Sequence, residues 1–309
     1  MSQTQAPVAK RRSYSGNFFN NPKIVPYVFV SPFILFLLVV YLYPSIATVL
    51  MSFQKINGPT STEWIGTMNY QRLFTRNYWM ALETTTRYTI WNVAILTSVP
   101  LLIAVFLKSR YVLASGFFKS LFFVPALTSI IVAGIVFRLA FGSLETALVN
   151  RLVILMGMQP QDWLMQKETA NFVMITLTLW RWLGVNIVYY YSGLQAIPED
   201  LYEASTIDGA NAIQQFIHVT LPGLRPVIIY VLTITVLGGF SMFTESVALW
   251  QQNNPGGIGR TIVGYMYMMG FYKNNMGMAS AVGLTLLVLV VAANMMQLVL
   301  MGFFKKEED

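Results

Sequence analysis

The chain has 309 residues, of which 55% are hydrophobic and only 11% are charged. A soluble core of this size does not need so many apolar residues on so few charges, so the composition indicates an integral membrane protein. The net charge of +7 does not indicate nucleic-acid binding, because the basic residues are scattered between apolar runs. The chain has no cysteine and a single histidine, His218, which excludes disulfides, thiolate metal sites and a histidine metal cluster.

The first 26 residues form a polar segment ahead of the first apolar run. That run lies too far along the chain for a usual secretory signal, and no small-residue cleavage site follows it. We therefore expect residues 1–26 to be a cytoplasmic segment and the first apolar run to remain in the protein as a helix.

Apolar runs long enough to cross a bilayer follow along the chain. A hydrocarbon core of ~30 Å takes about 20 residues of helix. The sequence predicts an all-α integral membrane protein, with one bundle of six transmembrane helices in residues 27–304 and a cytoplasmic tail in residues 305–309. The predicted spans are residues 28–50, 88–107, 121–141, 172–194, 227–249 and 281–303.

Basic residues predict the orientation of this bundle. They occur before the first span, between the second and third spans and in the tail, at Lys10, Arg11, Arg12, Lys23, Lys108, Arg110, Lys119, Lys305 and Lys306. By the positive-inside rule we expect both termini in the cytoplasm. The asymmetry is partial, because the opposite connections also hold basic residues such as Lys55, Arg72, Arg76, Arg87, Arg151, Lys167, Arg260 and Lys273.

The connection between the fourth and fifth spans, residues 197–222, is unusually polar for this chain and includes EASTIDGANAIQQFIHVTLP. Pro198 suits a first helical position, and the acidic residues after it complement the helix dipole. The dipeptide Asp208-Gly209 predicts a turn, since glycine reaches positive φ without steric cost. Pro222 is expected to end a second helix. We predict two short amphipathic helices on the cytoplasmic side.

Two functions fit such a hairpin. Its apolar stripe can fill a groove of a partner protein while its acidic residues pair with basic residues at the rim. Alternatively, the hairpin can lie on lipid headgroups, although acidic residues are repelled by an anionic cytoplasmic leaflet. The acidic composition favours docking to a protein.

The same stretch resembles a known motif. Glu203-Ala204-Ser205, three residues, Gly209, nine residues and Val219-Thr220-Leu221-Pro222 have the spacing of the EAA motif in permease subunits of bacterial ATP-binding-cassette (ABC) importers. That motif reads Glu-Ala-Ala, three residues, Gly, nine residues, Ile-x-Leu-Pro. Ser205 and Val219 depart from it by small changes only.

The resemblance extends over nearly the whole chain. GTMNYQRLF, LFFVPALTS, GLQAIPEDLYEA and NNPGGIG are similar to the carbohydrate-uptake branch of these permeases. Within that branch the chain is similar to permeases for arabino-oligosaccharides that form one half of a two-permease pair. The resemblance implies a multi-pass protein of the bacterial cell membrane that imports sugars or oligosaccharides.

Partners and cofactors are implied by the same resemblance. They are a second homologous permease subunit, two copies of a nucleotide-binding ATPase subunit, an extracytoplasmic solute-binding protein and the sugar, with no nucleic acid. ATP and Mg are expected to be hydrolysed by the ATPase subunits, while this chain binds no cofactor and is not an enzyme. The sequence agrees, because it has no Gly-Lys dipeptide and so no phosphate-binding G-x-x-x-x-G-K-[ST] loop.

The resemblance also assigns residues to ATPase coupling. The helix before Gly209 is expected to enter a cleft of the ATPase, where Glu203 pairs with a basic residue, and Gly209 is expected to be small because the turn is buried against the partner. Asp208 either caps the second short helix or contacts ATP, and capping is the favoured role. The predicted coupling residues are Glu203, Ala204, Asp208, Gly209, Ala210, Leu221 and Pro222.

Two ionisable residues fall inside predicted spans, Arg181 in the fourth and Glu245 in the fifth. Such residues generally face a cavity or a partner and are functional candidates. They either contribute to transport or form a structural ion pair, with each other or with the second permease.

Sugars bind through aromatic faces that stack on their rings and through amides and hydroxyls that satisfy their hydroxyl groups. Each candidate can equally well be a packing residue, because small residues are common at helix crossings and tyrosines at membrane interfaces. The predicted substrate path comprises Arg181, Trp182, Asn186, Tyr189, Tyr190, Gly238, Gly239, Ser241, Phe243, Glu245 and Asn294.

Three other functions were weighed against a sugar permease. A secondary transporter usually shows inverted repeats with broken helices, and the sequence shows no such repeat. A membrane enzyme needs a convergent nucleophile, base or metal set, and only His218 accompanies the acidic residues of the loop. An ABC permease for a non-sugar solute, such as a polyol phosphate, stays open as an alternative substrate class.

Overall fold

The computed structural model describes residues 24–56, 61–109, 112–251 and 255–303. The chain divides into two compact units, residues 1–51 and 52–309. The described part of the first unit is one apolar helix, formed by α1 (Val25–Phe36), a π-helical turn (Leu37–Leu42) and α2 (Tyr43–Ser52). Most of the predicted cytoplasmic segment 1–26 and the whole predicted tail 305–309 lie outside the described residues.

The second unit begins with a small β-hairpin that was not predicted. Strand β1 (Gln54–Ile56) pairs antiparallel with β2 (Thr62–Trp64), and α3 (Met68–Leu73) follows. The Asn69 side-chain amide is buried and donates to the carbonyl oxygens of Ser52 at 2.8 Å and Gln54 at 3.0 Å. One buried amide therefore fixes α3 against the start of the hairpin.

The second predicted span lies within the long helix α4 (Arg76–Lys108). The Thr75 hydroxyl accepts the Tyr78 backbone N–H at 3.4 Å and so caps α4 well before the apolar run begins. The sequence prediction of 88–107 therefore found the apolar part of a longer helix.

The third predicted span, 121–141, is wrong as a single straight helix. The segment forms α5 (Ser115–Phe123), a 3-10 turn (Val124–Leu127) and α6 (Ile130–Ala140), with a bend of 95° at the break. Pro125 lies in the 3-10 turn and cannot donate a backbone hydrogen bond. Thr128 then leaves the helical region with ψ 137°.

The connection to the fourth span contains a short helix, α7 (Leu148–Leu155). Its Asn150 is fully buried. The Asn150 amide nitrogen donates to the carbonyl oxygens of Gly142 and Gln161, both at 3.1 Å. Its amide oxygen accepts the Trp163 indole N–H at 2.7 Å. The fourth span follows as α8 (Lys167–Ala196).

The polar connection folds as α9 (Glu199–Ile207), α10 (Ala212–Gln215), a π-helical turn (Phe216–Thr220) and α11 (Leu221–Gly223), followed by α12 (Arg225–Phe240). Pro222 does not end the second short helix, contrary to the prediction. As the second residue of α11, it sits where the missing N–H is tolerated. The chain bends by 68° just after it, between Gly223 and Arg225.

The predicted fifth span, 227–249, is also wrong as one helix. Helix α12 ends at Phe240, and a separate helix α13 (Thr244–Trp250) follows. Gly238 and Gly239 close to this end lower helix propensity by roughly 1 kcal/mol each relative to alanine. The break therefore falls close to residues that weaken the helix.

After a 3-10 turn (Pro255–Gly257), the chain forms α14 (Ile262–Tyr267), a π-helical turn (Met268–Tyr272) and α15 (Met276–Leu300). The Asn275 side chain accepts the Met278 N–H at 3.0 Å. This cap starts the sixth span ahead of the predicted residue 281.

The helical membrane fold is confirmed. In the described ranges, four helices are long and apolar enough to cross a membrane alone: Val25–Ser52, Arg76–Lys108, Lys167–Ala196 and Met276–Leu300. The two bent pairs, Ser115–Leu127 with Ile130–Ala140 and Ala212–Gly223 with Arg225–Phe240, bring the number to six if each pair is one span.

Helices α4 and α8 run parallel and are joined at three levels. Near their N-termini Lys167 Nζ lies 2.7 Å from a Glu83 carboxylate oxygen. In the middle the Tyr88 and Thr178 hydroxyls are 2.6 Å apart. At the C-terminal end Lys108 Nζ donates to the Leu194 carbonyl oxygen at 2.7 Å. The two helices therefore form one frame for the rest of the unit.

We expect Asn150→Ala to destabilise the unit by about 2 kcal/mol or more, because it leaves the Trp163 indole N–H and buried carbonyl oxygens without their partner. Thermal unfolding in detergent measures the change. Gln159→Ala, on the exposed surface of the same connection, is the control and should unfold as the unmodified protein does. Equal melting of all three proteins would contradict the structural role of Asn150.

Candidate functional site

The turn of residues 197–222, hereafter the coupling loop, is built around Gly209. The Gly209 N–H bonds to the Thr206 carbonyl oxygen at 3.0 Å, and the Ala210 N–H bonds to the Ser205 carbonyl oxygen at 2.9 Å. This pair of bonds is the Schellman ending of a helix. It requires a left-handed residue, and Gly209 has φ +79°.

An added Cβ at Gly209 meets no atom within 4 Å in this chain. The requirement for glycine seen here is therefore one of backbone conformation. The expected burial of the turn against a partner stays a prediction.

The cap of the second short helix is Asn211. The Asn211 side-chain oxygen accepts the Gln214 N–H at 3.0 Å, and the Gln214 side chain accepts the Asn211 N–H at 2.8 Å. These reciprocal bonds form a capping box. The prediction that Asp208 caps this helix is therefore wrong, because Asp208 is the C-cap residue of the preceding helix, α9.

Side-chain bonds hold the two short helices together. Gln215 Nε2 donates to the Ser205 hydroxyl at 3.1 Å and to the Thr206 hydroxyl at 2.9 Å. The hydroxyls of Tyr202 and Thr220 are 3.0 Å apart. The coupling loop is therefore a hairpin held together by its own side chains.

The surface of this hairpin is apolar and acidic. Its exposed large apolar side chains are Leu201, Ile207, Ile213 and Ile217. Among the predicted coupling residues, Glu203, Ala204, Asp208, Gly209 and Pro222 are exposed, whereas Ala210 and Leu221 are half-buried. A cavity of about 310 Å³ lies beside the turn, between Asp208 and His218. These features suit a partner that brings an apolar groove and basic groups.

A second cavity, of about 340 Å³, lies among the membrane helices α4, α8 and α12 and the start of α13. Gly239 lets α12 approach α4 here, because a Cβ at this position would come within 2.6 Å of the Thr89 hydroxyl. The cavity is lined by Tyr88, Asn92, Leu96, Thr178, Trp182, Asn186, Ile234, Thr235, Gly238, Gly239, Ser241, Met242, Thr244 and Glu245.

The structure brings part of the predicted substrate path to this cavity, namely Trp182, Asn186, Gly238, Gly239, Ser241 and Glu245. Four other predicted residues have neighbours elsewhere. Tyr190 is fully buried in an apolar cluster, and the Tyr189 ring packs on Tyr230 at 5.3 Å. Phe243 packs on Tyr267 at 5.1 Å, and Asn294 Nδ2 donates to its own helix at the Val290 carbonyl oxygen.

Arg181 and Glu245 form an ion pair across α8 and α13. Arg181 Nη1 lies 3.3 Å from Glu245 Oε1, and the two side chains are only 14% and 10% exposed. The Thr244 hydroxyl donates to Glu245 Oε2 at 2.9 Å. Of the pair, only Glu245 is among the residues that line the cavity. The structure shows the ion pair between the two residues, and their contribution to transport stays a prediction.

Sequence reasoning missed the contribution of α4 to the cavity. Tyr88, Asn92 and Leu96 recur at helical i, i+4 spacing and therefore share one face. Asn92 is a buried amide in a span, and the rule that found Arg181 considers ionisable groups only. Extending that rule to amides would have found it.

A transport permease is the class that this fold and these sites define: a helical membrane unit with an internal cavity that is lined partly by polar side chains, and an exposed hairpin between two of the helices that line it. A family model described as binding-protein-dependent transport system inner membrane component matches residues 89–302. The match covers more than half of the chain and includes the coupling loop and every lining residue of the membrane cavity except Tyr88. The chain belongs to this family.

Two relatives are similar over nearly their full lengths. The arabinooligosaccharides transport system permease protein AraP of Bacillus subtilis (strain 168) is 47% identical over 301 residues, with 97% of this chain and 96% of that protein covered. AraP of Halalkalibacterium halodurans is 45% identical over 292 residues, with 94% and 92% covered.

Among solved structures, a bacterial ABC transporter involved in the import of the acidic polysaccharide alginate contains a similar chain. The TM-score is 0.79 at 22% sequence identity, with 91% of this chain and 96% of that chain covered. This similarity shows the fold. The family membership places the protein among binding-protein-dependent systems, and it does not support the secondary-transporter alternative.

We expect Arg181→Gln and Glu245→Gln each to lower the stability of the purified transporter by about 3 kcal/mol, because either change leaves an uncompensated buried charge. The double variant should cost less than the sum of the two. Thermal unfolding of all three measures the coupling. Glu168→Gln, which removes an exposed contact to Arg87 at 3.7 Å, is the control and should change stability by less than ~1 kcal/mol. Additive losses in the double variant would contradict the pair.

Proposed function

We propose that this chain is a transmembrane permease subunit of an ATP-driven, binding-protein-dependent importer of sugars, with arabinose-containing oligosaccharides as its substrates. The observation that carries the proposal is the coupling loop, which has the spacing of the EAA motif and an exposed apolar and acidic surface. The substrate class is supported by two relatives above 40% identity that are named as arabinooligosaccharide permeases.

The proposed partners are a second permease, two ATPase subunits and an extracytoplasmic binding protein. One related structure was solved with an alginate pentasaccharide-bound periplasmic protein, which supports a binding protein by analogy. ATP and Mg are bound by the ATPase subunits in this proposal, and this chain performs no hydrolysis.

The coupling loop is connected to the cavity-lining helices through short joints. Helix α8 ends at Ala196, and only Ile197 and Pro198 separate it from α9. On the other side, α11 is followed at once by the bend into α12. Both α8 and α12 line the cavity. A displacement of the loop by a moving ATPase therefore tilts two walls of the proposed sugar path.

The proposed orientation places the coupling loop and both termini in the cytoplasm. Lys108 supports this orientation, because its ammonium group lies 5.4 Å from the ring centroid of Tyr202 in the loop. Lys119 lies over the Tyr191 ring at 3.6 Å. Of the described basic residues that predicted the inner side, Lys108 thus contacts the loop, and Lys119 contacts the last part of α8, which leads into the loop.

Uptake by the reconstituted transporter tests the proposed function. Proteoliposomes with the chain, its partner permease and the ATPase subunits should accumulate labelled arabinotriose only with ATP and the binding protein. A polyol phosphate tested in parallel should not accumulate. Accumulation driven by an ion gradient without ATP would contradict the proposal and favour a secondary transporter.

Gly209→Val should abolish ATP-dependent uptake while the protein still reaches the membrane, because a β-branched residue is strained at φ +79° and the loop loses its shape. Gly157→Val is the matched control, since Gly157 has φ +77° and equally open surroundings but lies after α7. It should carry similar strain and retain uptake. Equal loss of uptake in both variants would show that strain, and not coupling, is responsible.

A further inference from the structure

The membrane cavity has a distinctive charge arrangement. Glu245 is the one charged residue among its described lining residues. The carboxylate receives Arg181 Nη1 on one oxygen and the Thr244 hydroxyl on the other. Glu245 is thus the member of the ion pair that lines the cavity, whereas Arg181 is not among the lining residues.

One lining residue of the cavity, Asn92, also carries a hydrogen-bond acceptor without a partner among the described residues. Asn92 is 1% exposed, and its Nδ2 donates to the Tyr88 carbonyl oxygen at 2.9 Å. Its Oδ1 is buried and has no hydrogen-bond partner among the described residues. A buried acceptor without a partner costs about 1–3 kcal/mol relative to a satisfied one, and it is a place where a ligand hydroxyl gains a bond.

An anion requires the opposite arrangement, with a cationic side chain or several free donors turned toward it. Arg181 is engaged by Glu245 and is not among the lining residues. A carboxylate or phosphate in the cavity would face the Glu245 carboxylate instead.

From this we infer that the Glu245 carboxylate and the Asn92 amide oxygen select neutral, hydroxyl-rich solutes in this cavity and reject anionic ones. The inference rests on the proposed function, which supplies the sugar substrate. It adds that the substrate must be uncharged, so that neutral oligosaccharides are accepted and uronates and sugar phosphates are rejected. The sequence prediction included neither Asn92 nor the sign of the electrostatic potential in the cavity.

The sign of the potential can be measured without any substrate, because the chain has no native cysteine. Gly238 lines the cavity, and an added Cβ there meets nothing within 4 Å. In the purified transporter complex, Gly238→Cys is to be reacted with neutral, cationic and anionic methanethiosulfonates, and modification of this chain is followed by its mass. Rates are normalised to those of a free thiol.

We expect the cationic reagent to modify Gly238→Cys at least about threefold faster than the anionic one after normalisation. Adding Glu245→Gln should invert the preference, since Arg181 is then uncompensated. Adding both Arg181→Gln and Glu245→Gln should give an intermediate ratio, and this double change also serves if the single variant does not assemble. Glu168→Gln, remote from the cavity, should leave the ratio unchanged.

Several outcomes would overturn the inference. The first is that Gly238→Cys alone reacts faster with the anionic reagent, or equally fast with both charged reagents. The second is that neither added substitution changes the ratio of cationic to anionic rates. The third is that even the neutral reagent does not react, which would show that the cavity is closed to solutes. Failure of arabinotriose uptake with the expected reagent order would instead reject the proposed sugar and leave the electrostatic selection standing.

The Asn92 contribution is tested in the same complex by protection. Arabinotriose should slow the neutral reagent at Gly238→Cys. Asn92→Leu, which keeps the branched shape and the number of side-chain heavy atoms but removes the acceptor, should weaken that protection about tenfold in arabinotriose concentration, as expected for one lost hydrogen bond. Protection at unchanged concentrations in Asn92→Leu would show that Asn92 does not contact the sugar.

Discussion

The parallel contact between α4 and α8 is the constraint on which the rest of the second unit depends. In a bilayer two apolar helices gain little from the hydrophobic effect, so their association needs close packing and polar links. Here an ion pair, a hydroxyl pair and a lysine-to-carbonyl bond occur at three successive levels. Gly184 also allows α8 to pack closely against the end of α5, because a Cβ at this position would clash with the backbone of Phe122.

This frame explains where motion can and cannot occur. Helices α4 and α8 are tied along their length and should move as one body. The breaks lie elsewhere: between α5 and α6, between α11 and α12, and between α12 and α13. Because α12 has a break at each end, it can tilt against the α4 and α8 frame with small changes at a few residues. The cavity lies between these two parts, so its volume depends on that tilt.

The sequence predicted the elements that depend on local rules. Six apolar runs located the spans, and the spacing from Glu203 to Pro222 located the coupling loop. The sequence prediction failed where several weak local signals compete to decide where a helix breaks or which residue caps it. Pro125 breaks a span, whereas Pro222 sits within a helix, and no local rule separates the two. Asp208 and Asn211 are both good capping residues, and only the turn geometry at Gly209 selects Asn211.

Substrate-path residues were predicted less well for a related reason. Tyr190 follows Trp182 and Asn186 at helical i, i+4 spacing and shares their face of α8, yet it packs further along the helix in an apolar cluster, and Tyr189 packs on Tyr230. Where the cavity ends along α8 is set by contacts with α4 and α12, which a single sequence does not reveal. Asn92 was missed because its amide is uncharged, and the sequence rule considered only ionisable residues in the spans. In the structure, its buried Oδ1 without a hydrogen-bond partner identifies it.

The placement of the Arg181 and Glu245 pair follows from competing costs. A single arginine in the middle of a span costs at least ~2.5 kcal/mol on insertion scales, and a carboxylate beside a transport cavity would bind passing cations if it were unpaired. Pairing the two across α8 and α13 removes most of both costs, and the Thr244 hydroxyl satisfies the remaining carboxylate oxygen. What is left is a weak negative field on the cavity side. A field of that size can disfavour an anion without holding a neutral sugar so tightly that its release would become slow.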